Sequence, residues 1–239
     1  MCTVTFLPTE NGFVFTSNRD EKVIRPTIPP AVYQHAHQSL IYPKDQQAGG
    51  TWIATNGANK IACLLNGAFF PHIKKTSYSR SRGTVVLEVF NHESMEAFVQ
   101  NTSFEGVEPF TLVLIDVSNT IAISELRWDE TNCYVTQLDP LDKYIWSSVT
   151  LYSEAEVAKR NTLFQHWFND SKVIAIQAIQ SFHRSSIEDN SILLAETNGV
   201  KTVSITQITC ANNHFDLFYQ DLMAKSEMRL ICSENQLVK

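Results

Sequence analysis

Hydrophobic and polar residues alternate from Cys2 to Leu7 and again from Phe13 to Thr16, with Val4 and Phe6 on one side of the first run. A period of two marks strands with one buried face. Asn11-Gly12 stands between the runs, a strong signal for a tight hairpin. The second run continues into Ser17-Asn18-Arg19-Asp20-Glu21. Antiparallel pairing therefore predicts that residue 2 comes near residues 18–20 at the open end of the hairpin.

The proline-rich stretch 25–30 is not expected to be regular structure, and a polar stretch follows it to Gly49-Gly50. A second hairpin is predicted from 51–56 and 60–66 around Gly57, with the apolar run Ile61–Leu65 as a buried strand. Helical spacing covers 83–100, interrupted at 91–94. Residues 110–117, 120–128 and 133–138 read as strands joined by Asp- and Asn-bearing turns, and 144–150 as a further candidate. An amphipathic helix is predicted over 154–168. Another follows through Phe182, capped by Asp170 or Ser171. Strands at 200–208 and 215–219 close the pattern. Helices in two blocks between runs of strands predict an α+β layered fold rather than alternating βαβ units. No linker is visible, so one domain over 1–239 is expected.

Composition narrows the function. The 239 residues are 44% hydrophobic and carry a formal net charge of −6. Nucleic acid is a poor partner for such a chain, because phosphate binding needs a basic face. The five cysteines are odd in number and form no CxxC pair, which argues against a disulfide framework or a zinc site. No basic n-region opens the chain, and no apolar run approaches a membrane span. A cytoplasmic protein is expected, with no cofactor and no metal. His35-Ala36-His37 is the one close histidine pair, and its polar surroundings suit a solvated loop.

Cys2 is the candidate nucleophile. Removal of Met1 would place a thiol and a free α-amine on one residue. That amine titrates at about 7.7–8.0 and can serve as the thiol's own base. Arg19, brought near by the hairpin, would supply a cation that favours the thiolate. Asp20 would hold the protonated amine. A small buried core cysteine is the other reading of Cys2. Asn66-Gly67 ends an apolar strand; an Asn amide suits an oxyanion donor, and an ordinary turn is the other reading. Cys63 is expected to be buried, and Cys232 to lie in a polar, accessible tail.

These motifs resemble those of the NRDE family, also called the transport-and-Golgi-organisation family. The resemblance rests on Met1-Cys2, the short hairpin, Asn18-Arg19-Asp20-Glu21, Gly49-Gly50-Thr51-Trp52, Asn66 and Ser81-Arg82-Gly83. It is looser after the first third, at 149–160 and 199–208. It implies a four-layer αββα sandwich of the N-terminal-nucleophile hydrolase type. The start is also similar to that of bile-salt hydrolases and penicillin V acylases. Carried over, Cys2 is the nucleophile, Arg19 and Asp20 its supporting pair, and Asn66 an oxyanion donor. Asn18, Trp52, Arg82 and Lys201 are implied to bind substrate. The implied activity is hydrolysis of a small-molecule linear amide or acyl thioester through an acyl-Cys2 intermediate. A non-catalytic carrier of haem or an acyl lipid is the alternative. The chain departs from the family pattern at Ser147-Ser148, where Ser-Asn is usual. It departs again at Lys201, where Arg is usual and Lys lacks the bidentate fork.

Overall fold

The structure, a computed structural model, describes residues 3–170, 176–186 and 191–232. Cys2 and Ser171 lie outside the described residues. Thirteen strands among them form two antiparallel sheets.

The first sheet takes β1 (Thr3–Thr9), β2 (Gly12–Lys22), β10 (Tyr144–Ser147), β11 (Val200–Ala211), β12 (His214–Asp221) and β13 (Ser226–Cys232) in the order β10-β1-β2-β11-β12-β13. The predicted hairpin is present, with Thr9 opposite Gly12 and Thr3 opposite Asn18. Gly12 has a φ of 152° and no room for a side chain, since a Cβ there would meet the Cys210 carbonyl oxygen at 2.0 Å.

The second sheet is a seven-stranded meander in chain order: β3 (Thr27–His35), β4 (Gln38–Asp45), β5 (Ile53–Thr55), β6 (Lys60–Asn66), β7 (Phe110–Asp116), β8 (Ala122–Trp128) and β9 (Cys133–Leu138). Here the reading of 25–30 as irregular is corrected. Pro29 and Pro30 sit inside β3, at a register shift between Ile28 and Ala31. β3 is an edge strand, where prolines lose no ladder bond and bulges absorb them. The polar stretch after it contains β4, whose Leu40, Ile41 and Tyr42 are buried. His35 ends β3, and Ala36 takes a positive φ in the turn. The polar tail also contains an element. Residues 226–232 form β13, and Cys232 at its end is buried.

The helices are α1 (Arg82–Glu88), α2 (Met95–Asn101), α3 (Glu154–Asp170) and α4 (Ile176–His183). A 3-10 turn over Val89–Asn91 forms part of the predicted break between α1 and α2. Three apolar layers explain the stacking. Phe6, Phe15, Ile53, Cys63, Val113 and Ile208 fill the space between the sheets. Val85, Val86 and Phe98 of the α1–α2 block pack on the outer face of the second sheet through Leu40, Ala62 and Leu114. Phe164 and Phe182 of α3 and α4 pack on Leu7 and Val14, the outer face of the first. The result is an αββα sandwich. No described helix is long and apolar enough to cross a membrane.

Candidate functional site

β2 positions the motif residues, and strand alternation divides them between two faces. Phe13 and Phe15 point into the inter-sheet core, so Ser17 and Arg19 follow them inward. Val14 packs under α3 and α4, so Asn18 and Asp20 lie on the outer, helix-covered side.

On the inner face Arg19 is 1% exposed. Its Nη2 meets Asp45 Oδ2 at 2.7 Å and lies 3.9 Å from Glu21 Oε2, while Nη1 donates to Thr27 Oγ1 at 2.8 Å. Its guanidinium carbon stands 4.6 Å from the centre of the Trp52 ring, a cation–π stack that uses the flat face of both groups. Arg25 approaches the same Asp45 oxygen at 2.8 Å and Glu21 at 3.3 Å. Asp45 is held in turn by two backbone donors, Gln47 N at 3.0 Å and Ala48 N at 2.9 Å, to its other oxygen. Arg19 thus joins the two sheets through a desolvated charge cluster.

This cluster forms one wall of a cavity of about 80 Å³ lined by Arg19, Glu21, Trp52, Asn66, Arg82 and Gly83, among others. A wider recess of about 740 Å³ shares Glu21, Arg25, Asn66 and Arg82 with it and adds Lys22 and Lys74. The Gly-Gly-Thr-Trp and Ser-Arg-Gly motifs meet here. Thr51 N donates to Gly83 O at 3.1 Å, and a Cβ on Gly50 would stand 2.4 Å from the Gly83 carbonyl carbon. Only glycine permits that backbone approach. Ser81 caps α1, and Arg82 leaves its first turn to pair with Glu108 Oε2 at 3.1 Å and Pro109 O at 3.1 Å. Burial lowers the Arg82 pKa, with Glu108 opposing that shift.

The inner face holds further polar atoms. The hydroxyls of Ser17, Ser204, Thr206 and Tyr219 and the indole N–H of Trp52 are buried without a hydrogen bond of good geometry. Ser17 faces Thr206, and Thr206 faces Tyr219, in one cross-strand row. Burial pushes the Tyr219 hydroxyl up to about 12, partly offset by nearby Ser204, Arg19 and Thr27. Cys63 is likewise pushed up to about 12 by burial, so it is an inert core thiol.

The outer face carries a hydrogen-bond network. Asp20 accepts from the Tyr152 hydroxyl at 2.6 Å and from Thr202 Oγ1. Arg160 stacks on Tyr152 with its guanidinium carbon 3.9 Å from the ring centre, and donates to Thr3 Oγ1 at 2.8 Å. Asn18 Oδ1 accepts from His183 Nδ1 at 2.7 Å, and Thr5 Oγ1 lies 2.7 Å from His183 Nε2. Burial lowers the His183 pKa to about 3, with Arg160 adding to the effect.

Of the residues singled out from sequence, the structure brings Arg19, Trp52, Asn66 and Arg82 to one cavity. It does not bring Asn18, Asp20 or Lys201 there: Asn18 bonds to His183 of α4, Asp20 to Tyr152 before α3 and to Thr202 of β11, and Lys201 of β11 stands opposite Glu21 of β2 in the strand register, outside the lining. Asn66 is bound through its own carbonyl by Ser148 Oγ at 2.8 Å, which shows what the departure from Ser-Asn does locally. Sequence reasoning missed Arg25, Asp45, Tyr152, Arg160 and His183. Asp45 carried a signal only as a turn residue before Gly49-Gly50. Among the described residues no group of three or more His, Cys, Asp or Glu could hold a metal.

The fold is similar to solved structures of low sequence identity. A penicillin V acylase from Agrobacterium tumefaciens superposes with a TM-score of 0.60 at 12% identity, covering 98% of this chain and 89% of that one. A mutant conjugated bile acid hydrolase from Clostridium perfringens gives 0.58 at 11%, covering 99% and 93%. The Caenorhabditis elegans ortholog of N-acylethanolamine-hydrolyzing acid amidase gives 0.57 at 11%, covering 89% and 93%. No curated protein sequence matches the chain significantly. Those structures establish the layered hydrolase-type fold. The family profile described as Transport and Golgi organisation 2 matches residues 1–208, and the chain belongs to that family.

Proposed function

We propose that the protein is an N-terminal-nucleophile cysteine hydrolase that cleaves a linear amide or an acyl thioester through an acyl-Cys2 intermediate. The observation that carries this reading is the buried Arg19 beside a small cavity, on the residue that follows Asn18, the register partner of Thr3. Cys2 precedes Thr3 in the chain. In this reading the α-amine of processed Cys2 takes the thiol proton, and the thiolate attacks the substrate carbonyl. Arg19 favours the thiolate. The Asn66 amide donates to the oxyanion. Collapse expels the amine or thiol leaving group with the proton held by the α-ammonium. Water then adds to the acyl-thioester, its proton returns through the amine, and a carboxylic acid leaves the restored thiol. Asp20 acts as a positioning residue, because its bonds run to Tyr152 and Thr202 on the outer side of β2. The neighbouring folds include enzymes named for penicillin V, conjugated bile acids and N-acylethanolamines, all acyl amides.

The test is acyl-enzyme capture. Protein with Met1 removed is mixed with short acyl amides and acyl thioesters, quenched in acid and mapped by peptide mass. An acyl mass on the Cys2 peptide is expected, absent in Cys2→Ala and in protein that keeps Met1. Acylation that is indifferent to Met1, or confined to other cysteines, overturns the mechanism and favours a carrier protein.

A further inference from the structure

The charges around the candidate cavity select among substrates, and this step rests on the hydrolase reading for its orientation only. Five cationic side chains, Arg19, Lys22, Arg25, Lys74 and Arg82, line the joined inner and outer cavities. Two carboxylates, Glu21 and Asp45, line them as well. Asp45 is committed to Arg19 and Arg25 at 2.7 and 2.8 Å, and Glu108 lies behind Arg82 at 3.1 Å. Counting Glu108, the cations exceed the carboxylates by two, in a chain whose formal net charge is −6. A concave, partly desolvated site focuses that local excess against the field of the whole molecule.

Shape adds to charge. The inner cavity of about 80 Å³ has room for a few heavy atoms. The outer recess of about 740 Å³ is lined mostly by polar and charged groups, with Ile24 and Pro26 as its apolar members. A steroid or long acyl chain needs apolar walls to displace water, and this recess does not offer them. Arg82 and Arg25 line the same two cavities, so their like charges face one shared space. An anion placed between them relieves that repulsion while forming charge-assisted hydrogen bonds.

We infer that the site takes a small acyl compound bearing an anionic group, a carboxylate or a phosphate, held in the outer recess by Arg82, Arg25 and Lys74. The reacting carbonyl then occupies the inner cavity between Arg19 and Asn66. Both anions present the same oxygen chemistry to the guanidinium groups.

The experiment compares matched pairs that differ only in charge. N-acetylglycine is set against N-acetylglycinamide, and N-acetyl-O-phosphoethanolamine against N-acetylethanolamine. Binding to the full chain is measured by titration calorimetry at about 50 and 200 mM salt. One charge-assisted contact is worth about tenfold in affinity, so the anionic member of at least one pair should bind about tenfold tighter or better. The advantage should shrink at the higher salt. Whichever pair shows the larger gap identifies the anion. Lys74→Gln, on an exposed side chain, and Arg25→Gln should each reduce the gap severalfold. Equal affinities within both pairs, tighter binding of the neutral members, or no measurable binding of either anion overturn the inference. The outcome is independent of acyl-enzyme capture: an acyl-Cys2 adduct without anion preference leaves the hydrolase reading standing.

Discussion

The two faces of β2 solve opposite problems with neighbouring residues. Outward, Asn18 and Asp20 end in a network in which each side chain has a partner in α4, β11 or the segment before α3. Inward, Arg19 sits among charges at a cavity wall, and Ser17, Ser204 and Thr206 are buried without well-formed bonds. Satisfied polar groups fix a backbone, whereas the cavity walled by Arg19 leaves room for a ligand. The contrast assigns rigidity to the outer face and recognition to the inner one, one residue apart.

The sharpest way to break this comparison is Arg19→Ala. Asp45, 10% exposed in the intact chain, keeps Arg25 as its remaining cation. Removing one member of a buried pair typically costs about 3–5 kcal/mol, and urea denaturation should show a loss at the low end because Arg25 remains. Anion binding in the recess should weaken as well. Unchanged stability would mean that the cluster does not join the sheets.

Tyr152→Phe probes the outer face. It removes a hydroxyl donor to the Asp20 carboxylate, and a hydrogen bond to a charged group is worth about 1.5–3 kcal/mol. Stability should fall by that amount with no change in affinity for the anionic probes. A loss of binding equal to that of the inner-face variants would dissolve the division.

His183 gives the outer face a pH signature. Its folded pKa, about 3, lies below the unfolded value near 6.5. The unfolded chain therefore binds more protons between those values, and stability falls as pH falls. The contribution is complete above about pH 6.5 and is lost toward pH 3, at up to about 1.4 kcal/mol per pH unit. Between pH 6.5 and 5 the loss should be about 1.5–2 kcal/mol. His183→Gln should flatten that segment of the profile, and a slope that survives the substitution assigns it to other groups.

The smallest expected effect sharpens the inner side. Lys74→Gln should move stability by less than about 0.5 kcal/mol, as exposed substitutions do, while it still lowers anion affinity.

Much of this was legible in the chain. Asn11-Gly12 announced the β1–β2 hairpin, and antiparallel pairing placed residues 18–20 at its open end. The Gly49-Gly50-Thr51-Trp52 and Ser81-Arg82-Gly83 motifs were visible, but their backbone contact through Gly50 and Gly83 was not. What stayed hidden depends on contacts remote in sequence. Nothing local pairs Arg19 with Asp45, because the two sit in different sheets. Asp20 was read beside Arg19 as part of one cluster, yet period-two alternation turns it to Tyr152, 132 positions away. Pro29-Pro30 masked β3 because proline argues against strands in general; edge position, which reverses the argument, is a property of the whole sheet. β13 was concealed by polar composition, with Met228 and Leu230 supplying only a thin apolar face.

The strand orders carry a consequence for synthesis on the ribosome. The seven-stranded sheet is sequential from residue 27 to 138, so each strand finds its neighbour just made. The six-stranded sheet seats β1 between β10 and β2, and β2 against β11, which begins at Val200. At about 5–20 residues per second the first hairpin waits roughly 10–40 s for β11 to emerge. During that interval Leu7, Val14 and Phe15 have no permanent cover. The chain is thus built from the middle outward, and its earliest-made strands are among the last to be enclosed.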